Sequence, residues 1–247
     1  MKQFIARIPL IGTLAKYLYH HFCRSKEIEV ETLPQTEPVI FDGSQSYWEN
    51  RYVTGGNSGV GSYGKLAEFK SQVVNSFVKE NNINSIIEFG CGDGNQLSLA
   101  VYPKYIGLDV SPTAIKLCKE KFHDDDTKSF FLYDPLCFVD KHNIFSCDLA
   151  LSMDVIYHLV EDDIFHKYMQ ALFGCSKKYV IIYSSNYDTQ QVFHIRDRQF
   201  TPWVAQYASE WQLINVIKNK YPEDPKYPDE TARSDFYIFA KSSMLKQ

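Results

Sequence analysis

The 247-residue chain is 45 % hydrophobic and 23 % charged, with a net charge of −4, so it can bury one large core and form one or at most two domains. That mild acidity offers no general attraction to nucleic acid, and no nucleic-acid partner is expected. Six cysteines without a C-x-x-C pair argue against a zinc site and a disulfide framework, leaving a reduced cytoplasmic location as the expectation.

Residues 1–26 hold five basic side chains and no acid. Phe4, Ile8, Ile11, Leu14, Leu18 and Phe22 recur at helical spacing, although Pro9 and Gly12 weaken the first half and leave the helix firm from Thr13. Such a helix either packs on its own domain or a second subunit, or lies peripherally on an anionic membrane at the inner face. Residues 27–46, with Pro34 and Pro38 among acids, read as a linker. The chain therefore divides into a basic N-terminal segment, 1–45, and a main domain, 46–247.

The main domain opens on YWENRY (47–52), a glycine-rich stretch, TGGNSGVGSYG (54–64), and a helix over 65–80. From Ser85 the pattern changes to short β-rich runs at 85–89, 105–110, 129–133, 148–153 and 178–185. Helical segments at 112–122, with Ser111 as N-cap, and at 162–173, stopped by Gly174, alternate with them. This alternation predicts a parallel sheet covered on both faces. After a polar and aromatic insert, the runs 211–218 and 235–241 predict an antiparallel pair at the end of the sheet.

Two glycine loops compete for a cofactor. GVGSYGK (59–65) fits both G-x-G-x-x-G and most of a phosphate loop, but no buried strand precedes it and Leu66 stands where a phosphate loop needs Ser or Thr. GCGDG (90–94) follows the run SIIEF, and Asn95–Val101 after it is compatible with a helix, the context a glycine cradle requires. Asp109, 21 residues after Glu88 and at the end of the next strand, is placed to accept a ribose. Asn95 replaces the sixth-position glycine of dinucleotide enzymes, and Glu88 lies two residues before the first glycine. This combination suits a ligand with a cationic amine and no pyrophosphate, such as S-adenosylmethionine.

EFGCGDG, GLDVS and LSMDVIYHLVED together resemble, in order and spacing, the class I S-adenosylmethionine-dependent methyltransferases, over roughly 46–241. The resemblance implies a Rossmann-like, seven-stranded, mostly parallel sheet with helices on both faces, and S-adenosylhomocysteine as product. It points toward bacterial small-molecule enzymes, including those of surface-polysaccharide and capsule pathways. Glu88, Gly90, Cys91 and Gly92 match the motif against the methionine part, Asp109 the ribose acid, and Val110 a neighbour of the adenine. Asp134 matches a position near the adenine amino group, where the following Pro135 departs from the usual small residue. Met153 and Asp154 match the junction of cofactor and substrate. YWENRY resembles a segment that closes over the methionine end, with Arg51 able to pair with the carboxylate and Tyr47 or Trp48 to pack on the sulfonium. The alternative is that Trp48 and Tyr52 are core aromatics. The glycine stretch reads as a lid, with Gly61, Ser62 or Tyr63 near the methionine end.

A neutral hydroxyl acceptor needs a base, whereas an anionic acceptor whose own oxygen attacks needs none, and an open α/β sheet places the acceptor beyond its strand ends. His158 in DVIYHLVED, beside Tyr157, is the first candidate base, with simple packing and hydrogen bonding near the cofactor as the alternative, and His194 in the insert is the second. Arg196 and Arg198 beside His194 suit an anionic acceptor such as a phosphate or carboxylate, with a solvated loop as the alternative. No Asp-Asn pair follows the fifth strand, and no metal is expected. The expected function is O-methylation of a polar, sugar-containing or phosphorylated small molecule. N-methylation, a non-catalytic S-adenosylmethionine binder and a nicotinamide oxidoreductase are the alternatives.

Overall fold

The apolar runs from Ser85 onward pair into one sheet because their side chains are apolar on both faces and must be covered twice. A computed structural model describes residues 41–245; the N-terminal helix and nearly all of the linker expected before them lie outside the described residues. Strands β1 (Ile86–Phe89), β2 (Tyr105–Asp109), β3 (Lys128–Leu132), β4 (Cys147–Met153) and β5 (Ser176–Ser184) are parallel. Strands β8 (Trp211–Ile217) and β9 (Asp235–Lys241) complete a seven-stranded sheet in the order β3-β2-β1-β4-β5-β9-β8, with β9 antiparallel to both neighbours. The sheet is the Rossmann-like one expected from the sequence.

Alternation along β1 divides the core. Ile87 and Phe89 face Phe165, Met169 and Leu172 of helix Asp162–Gly174, while Ile86 lies in the cluster that holds Val74 and Val78 of helix Gly64–Glu80. In chain order the α-helices are α1 (Gly43–Val53), α2 (Gly64–Glu80), α3 (Pro112–Lys121), α4 (Asp162–Gly174) and α5 (Thr201–Tyr207). Ser111 caps α3, its hydroxyl accepting Ala114 N–H at 3.0 Å.

Two expectations change. Asn95–Val101 is not a helix; a single 3-10 turn, Leu97–Leu99, follows the glycine loop. Asp93 Oδ1 takes Asn95 N–H at 2.9 Å and Ser98 Oγ donates to Asn95 O at 2.6 Å, local bonds that compete with helix propagation. The insert after β5 is also not a plain loop: β6 (Thr189–Val192) and β7 (Ile195–Asp197) form a hairpin that leads into α5.

Candidate functional site

The order of the sheet reverses beside β1, whose neighbours are β2 on one side and β4 on the other. Crossovers leave that point to opposite faces, so a crevice opens at the carboxyl ends of the strands. A cavity of about 280 Å³ lies there.

Its floor is the loop after β1. Gly90 and Gly92 have φ of +85° and +58°. A Cβ on Gly90 would meet Val155 Cγ2 at 2.5 Å, and one on Gly92 would meet Ser58 Oγ at 2.3 Å. Only glycine lets this backbone form the cradle. Asp109 fixes its shape: Oδ2 accepts Gly92 N–H at 2.8 Å and Oδ1 accepts Ser111 N–H at 2.9 Å. Burial nevertheless pushes the Asp109 carboxyl up to about 6. Glu88 is buried on β1, where burial raises its carboxyl to about 7 against the opposing hydroxyl of Tyr105, at 2.6 Å, and the charge of Lys70.

Helix α1 and the glycine-rich stretch form the cover. Glu49 accepts Ser111 Oγ at 2.5 Å and Thr113 Oγ1 at 2.7 Å, which pins α1 to the start of α3. Ser44 donates its hydroxyl to Glu161 Oε2 at 2.6 Å and its N–H to Oε1 at 2.8 Å, which ties the other end to the segment before α4. Asp93 Oδ2 takes Ser58 N–H at 3.0 Å and the Tyr63 hydroxyl at 2.8 Å, and Asn95 Nδ2 donates to Ser62 O at 2.7 Å. The glycine stretch is thus laced to the cradle by the Asp93 and Asn95 side chains, which meet its backbone and the Tyr63 hydroxyl.

Asp154, just beyond β4, has φ of +59°, a costly conformation for a residue with a side chain. Its carboxylate accepts Lys70 Nζ at 2.7 Å and Ser234 Oγ at 3.0 Å. His158 follows on a 3-10 turn, its ring edge-on to Trp48 at 4.8 Å and its Nδ1 3.3 Å from His194 O. Burial lowers the His158 imidazole to about 4 and also lowers that of His194. The two rings are parallel within 5°, 6.3 Å apart, and Tyr47 stacks on His194 at 4.4 Å.

Residues 64–221 match the family described as a methyltransferase domain, more than half of the chain. The chain belongs to this family. A small RNA 2'-O-methyltransferase of Arabidopsis thaliana is 30 % identical over 122 residues, which is 45 % of this chain and only 13 % of that relative. Similar solved folds include the methyltransferase domain of bacterial CtHen1-C (TM-score 0.55, 20 % identity, 70 % of this chain and 96 % of that one). The N-methyltransferase NodS of Bradyrhizobium japonicum, in complex with S-adenosylhomocysteine, gives a TM-score of 0.60 at 14 % identity, over 81 % of this chain and 99 % of that one. Magnesium protoporphyrin IX methyltransferase of Synechocystis gives 0.58 at 10 %, over 80 % and 98 %.

S-adenosylmethionine is the methyl donor of such domains, and the cavity of this methyltransferase domain fits it. The lining carboxylates Asp42, Glu88, Asp109, Asp154 and Glu161 outnumber one lysine, which favours a cationic ligand. Gln96 Oε1 and Tyr133 OH are buried in its wall without a partner, and the glycine cradle leaves backbone open to close approach.

Ser62, Glu88, Gly90, Cys91, Gly92, Asp109, Val110, Pro135, Met153, Asp154 and His158 all line the cavity of the methyltransferase domain. Tyr47, Asp134, Tyr157 and His194 are not among its lining residues: Asp134 turns to Leu136 N–H at 2.8 Å, and Tyr157 packs under the Arg233 guanidinium at 5.1 Å. Arg51 does not reach the cavity. Its Nε donates to Asn57 O at 2.6 Å and its guanidinium lies 5.7 Å from the Trp48 ring. Arg198 is buried, donating to Leu159 O, Val160 O and Asp162, and Arg196 also donates to Val160 O and Asp162. Reasoning from sequence missed Lys70, Ser58, Gln96 and Glu161. The signal for Lys70 was present: it sits four residues from Leu66 and from Val74, on the apolar stripe of α2. Among the described residues no group of three or more His, Cys, Asp or Glu side chains could hold a metal ion, and no helix is long and apolar enough to cross a membrane.

Proposed function

We propose that the protein transfers a methyl group from S-adenosylmethionine to a hydroxyl of a polar, sugar-containing acceptor. The observation that carries this reading is His158. Its Nδ1–H donates to His194 O, which leaves Nε2 with a free lone pair, and burial keeps the ring neutral. A neutral imidazole at the junction of cofactor and acceptor can take a hydroxyl proton as the oxygen attacks, a contribution of roughly 10²–10⁴ in rate. An amine acceptor has less use for such a base. The bound donor supplies a methyl already activated on its sulfonium. This chain's residues hold the reacting groups in line, with Trp48 and His158 forming one wall.

The His194 ring lies 6.3 Å from His158, and Tyr47 and Phe193 pack on His194, an aromatic cluster against which a sugar or nucleoside can pack. A capsule or surface-polysaccharide precursor belongs to this acceptor class. Arg196, with its side chain 38 % exposed, is the group left to meet an anionic portion of the acceptor. A cytoplasmic setting follows from the reading, with membrane contact or dimerisation through residues 1–26 tested by deleting them.

A second reading has a specific observation behind it. The Arabidopsis relative is named for methylation of a small RNA at a ribose 2'-hydroxyl, and a terminal ribose is also a sugar hydroxyl beside a stacking base. Transfer of labelled methyl should therefore be measured on nucleotide sugars, free nucleotides, and short RNAs ending in ribose or 2'-deoxyribose. Label in sugar hydroxyls supports the proposal. Label in a ribose-ended but not a deoxyribose-ended RNA selects the second reading, and label only in amines overturns both.

A further inference from the structure

Helix α2 carries a charge on its buried stripe. Leu66, Lys70, Val74 and Val78 step by four residues and all are buried, with the Lys70 side chain 1 % exposed. Burial of an ammonium is costly unless its hydrogens find acceptors. Lys70 has three N–H donors, and one hydrogen bond is formed, to Asp154 Oδ2 at 2.7 Å. The ammonium also lies 5.4 Å from the Tyr183 ring and forms part of the cavity wall.

The glycine-rich cover lies against this ion pair. A Cβ built on Gly61 would stand 2.8 Å from Asp154 Oδ2 and 3.9 Å from Lys70 Nζ, so the cover passes directly over the pair. Asp154 does not depend on Lys70 alone, since Ser234 also donates to it. On the other side, the lysine charge reaches Glu88 and opposes the effect of burial on it. Lys70 is the only lysine or arginine among the described residues lining the cavity.

The methionine tail of the donor presents an ammonium and a carboxylate on one carbon. Glu88 and the loop after β1 suit the ammonium. The carboxylate needs a cation, and Arg51, the residue matched by resemblance, is engaged outside the cavity. We propose that Lys70 Nζ binds the α-carboxylate of the donor, with Asp154 holding the lysine head in place when the tail is absent. The inference rests on S-adenosylmethionine as the methyl donor.

Calorimetry with S-adenosylmethionine and decarboxylated S-adenosylmethionine tests it, because the two differ by the carboxylate alone. Wild type should prefer the carboxylated form by about tenfold or more, as a charge-assisted bond in a dry pocket implies. Lys70→Met should reduce that preference to within about twofold and leave affinity for the decarboxylated nucleoside in place. Should that variant not fold, Lys70→Gln tests the same difference with a polar head for Asp154. A variant that keeps the preference, or one that loses both ligands equally, overturns the assignment; the second result would show a purely structural lysine. Equal affinities in wild type overturn it as well. Binding of neither nucleoside by folded wild type would instead sink the donor reading on which it stands.

Discussion

The Tyr63 hydroxyl donates to Asp93 Oδ2 at 2.8 Å, joining the glycine-rich cover to the loop that forms the cavity floor. Burial, followed by this carboxylate, raises the Tyr63 phenol to about 12, so the bond persists across the working pH range. Asp93 also takes Ser58 N–H at 3.0 Å. Asp93→Ala should release the cover and weaken S-adenosylmethionine binding about three- to tenfold, mainly through faster dissociation, whereas Tyr63→Phe, losing one of the two bonds, should do less. Stopped-flow dissociation rates equal to wild type in Asp93→Ala would remove the cover from the binding step.

Asp109 acts on the loop before any ligand arrives. It holds Gly92 N–H and Ser111 N–H at once. Asp109→Ala should therefore weaken cofactor binding by more than one lost ribose bond, about 10- to 100-fold, and Asp109→Asn should lie between. Calorimetry of both variants checks the order; an unchanged affinity in Asp109→Ala would end the ribose assignment.

Glu88 makes a pH prediction with a definite sign. Its folded carboxyl lies at about 7, above the value of 4.5 for the unfolded chain. Between those values the unfolded state binds fewer protons than the folded one, so this group lowers stability as pH rises through that window. Glu88→Gln should accordingly raise the stability of the cofactor-free protein at pH 8 by roughly 1–3 kcal/mol, and change it little at pH 4. The same variant should weaken binding of the cationic donor. Denaturant melts at the two pH values, without ligand, give the comparison.

His158 and His194 should separate in kinetics. His158→Ala should lower kcat by about 10²–10⁴ while leaving donor affinity within a few-fold. His194→Phe, which keeps the backbone carbonyl that orients His158 and a ring for Tyr47, should lose far less. Because burial lowers His158 to about 4, the acid limb of the wild-type rate should fall below the ordinary histidine range. A limb centred near pH 6.5 would point to a different base.

Arg198 is predicted to act through the backbone. Its donors hold Leu159 O at 2.8 Å, Val160 O at 2.8 Å and Asp162 Oδ1 at 2.6 Å, all just after His158. Arg198→Ala takes the arginine from Leu159 O and leaves Val160 O and Asp162 to Arg196 alone, and should cost about 1–3 kcal/mol of stability. Arg196→Ala, at an exposed pair, should cost well under about 1 kcal/mol and instead raise the KM of an anionic acceptor. Thermal melts and acceptor kinetics on the two variants distinguish these roles.

Local chemistry determined much of this protein. The alternation of apolar runs with helical stretches specified the sheet, because strands buried on both faces read as continuous hydrophobic runs. Ser111 before Pro112 specified where α3 begins. Glycines at 90 and 92 with an acid at 109 specified the floor of the cavity, since a loop of that conformation needs residues without Cβ and a carboxylate to hold its N–H groups. Asn95–Val101 was misread because helix propensity there competes with Asp93 and Asn95 bonding to nearby groups, a contest that propensity alone does not decide.

Long-range partners were decided only when the chain folded. Arg51 and Lys70 are both cations in the segments before β1, and residue type does not say which one enters the cavity. Helix α1, pinned by Glu49 and Ser44, directs Arg51 to Asn57, while the buried stripe of α2 carries Lys70 to Asp154, 84 residues away in sequence. Arg198 likewise reads as a free charge in sequence and becomes a brace for the His158 segment once β7 packs beside it. A charged side chain is defined by what it meets after burial, and those meetings are made between elements far apart in the chain.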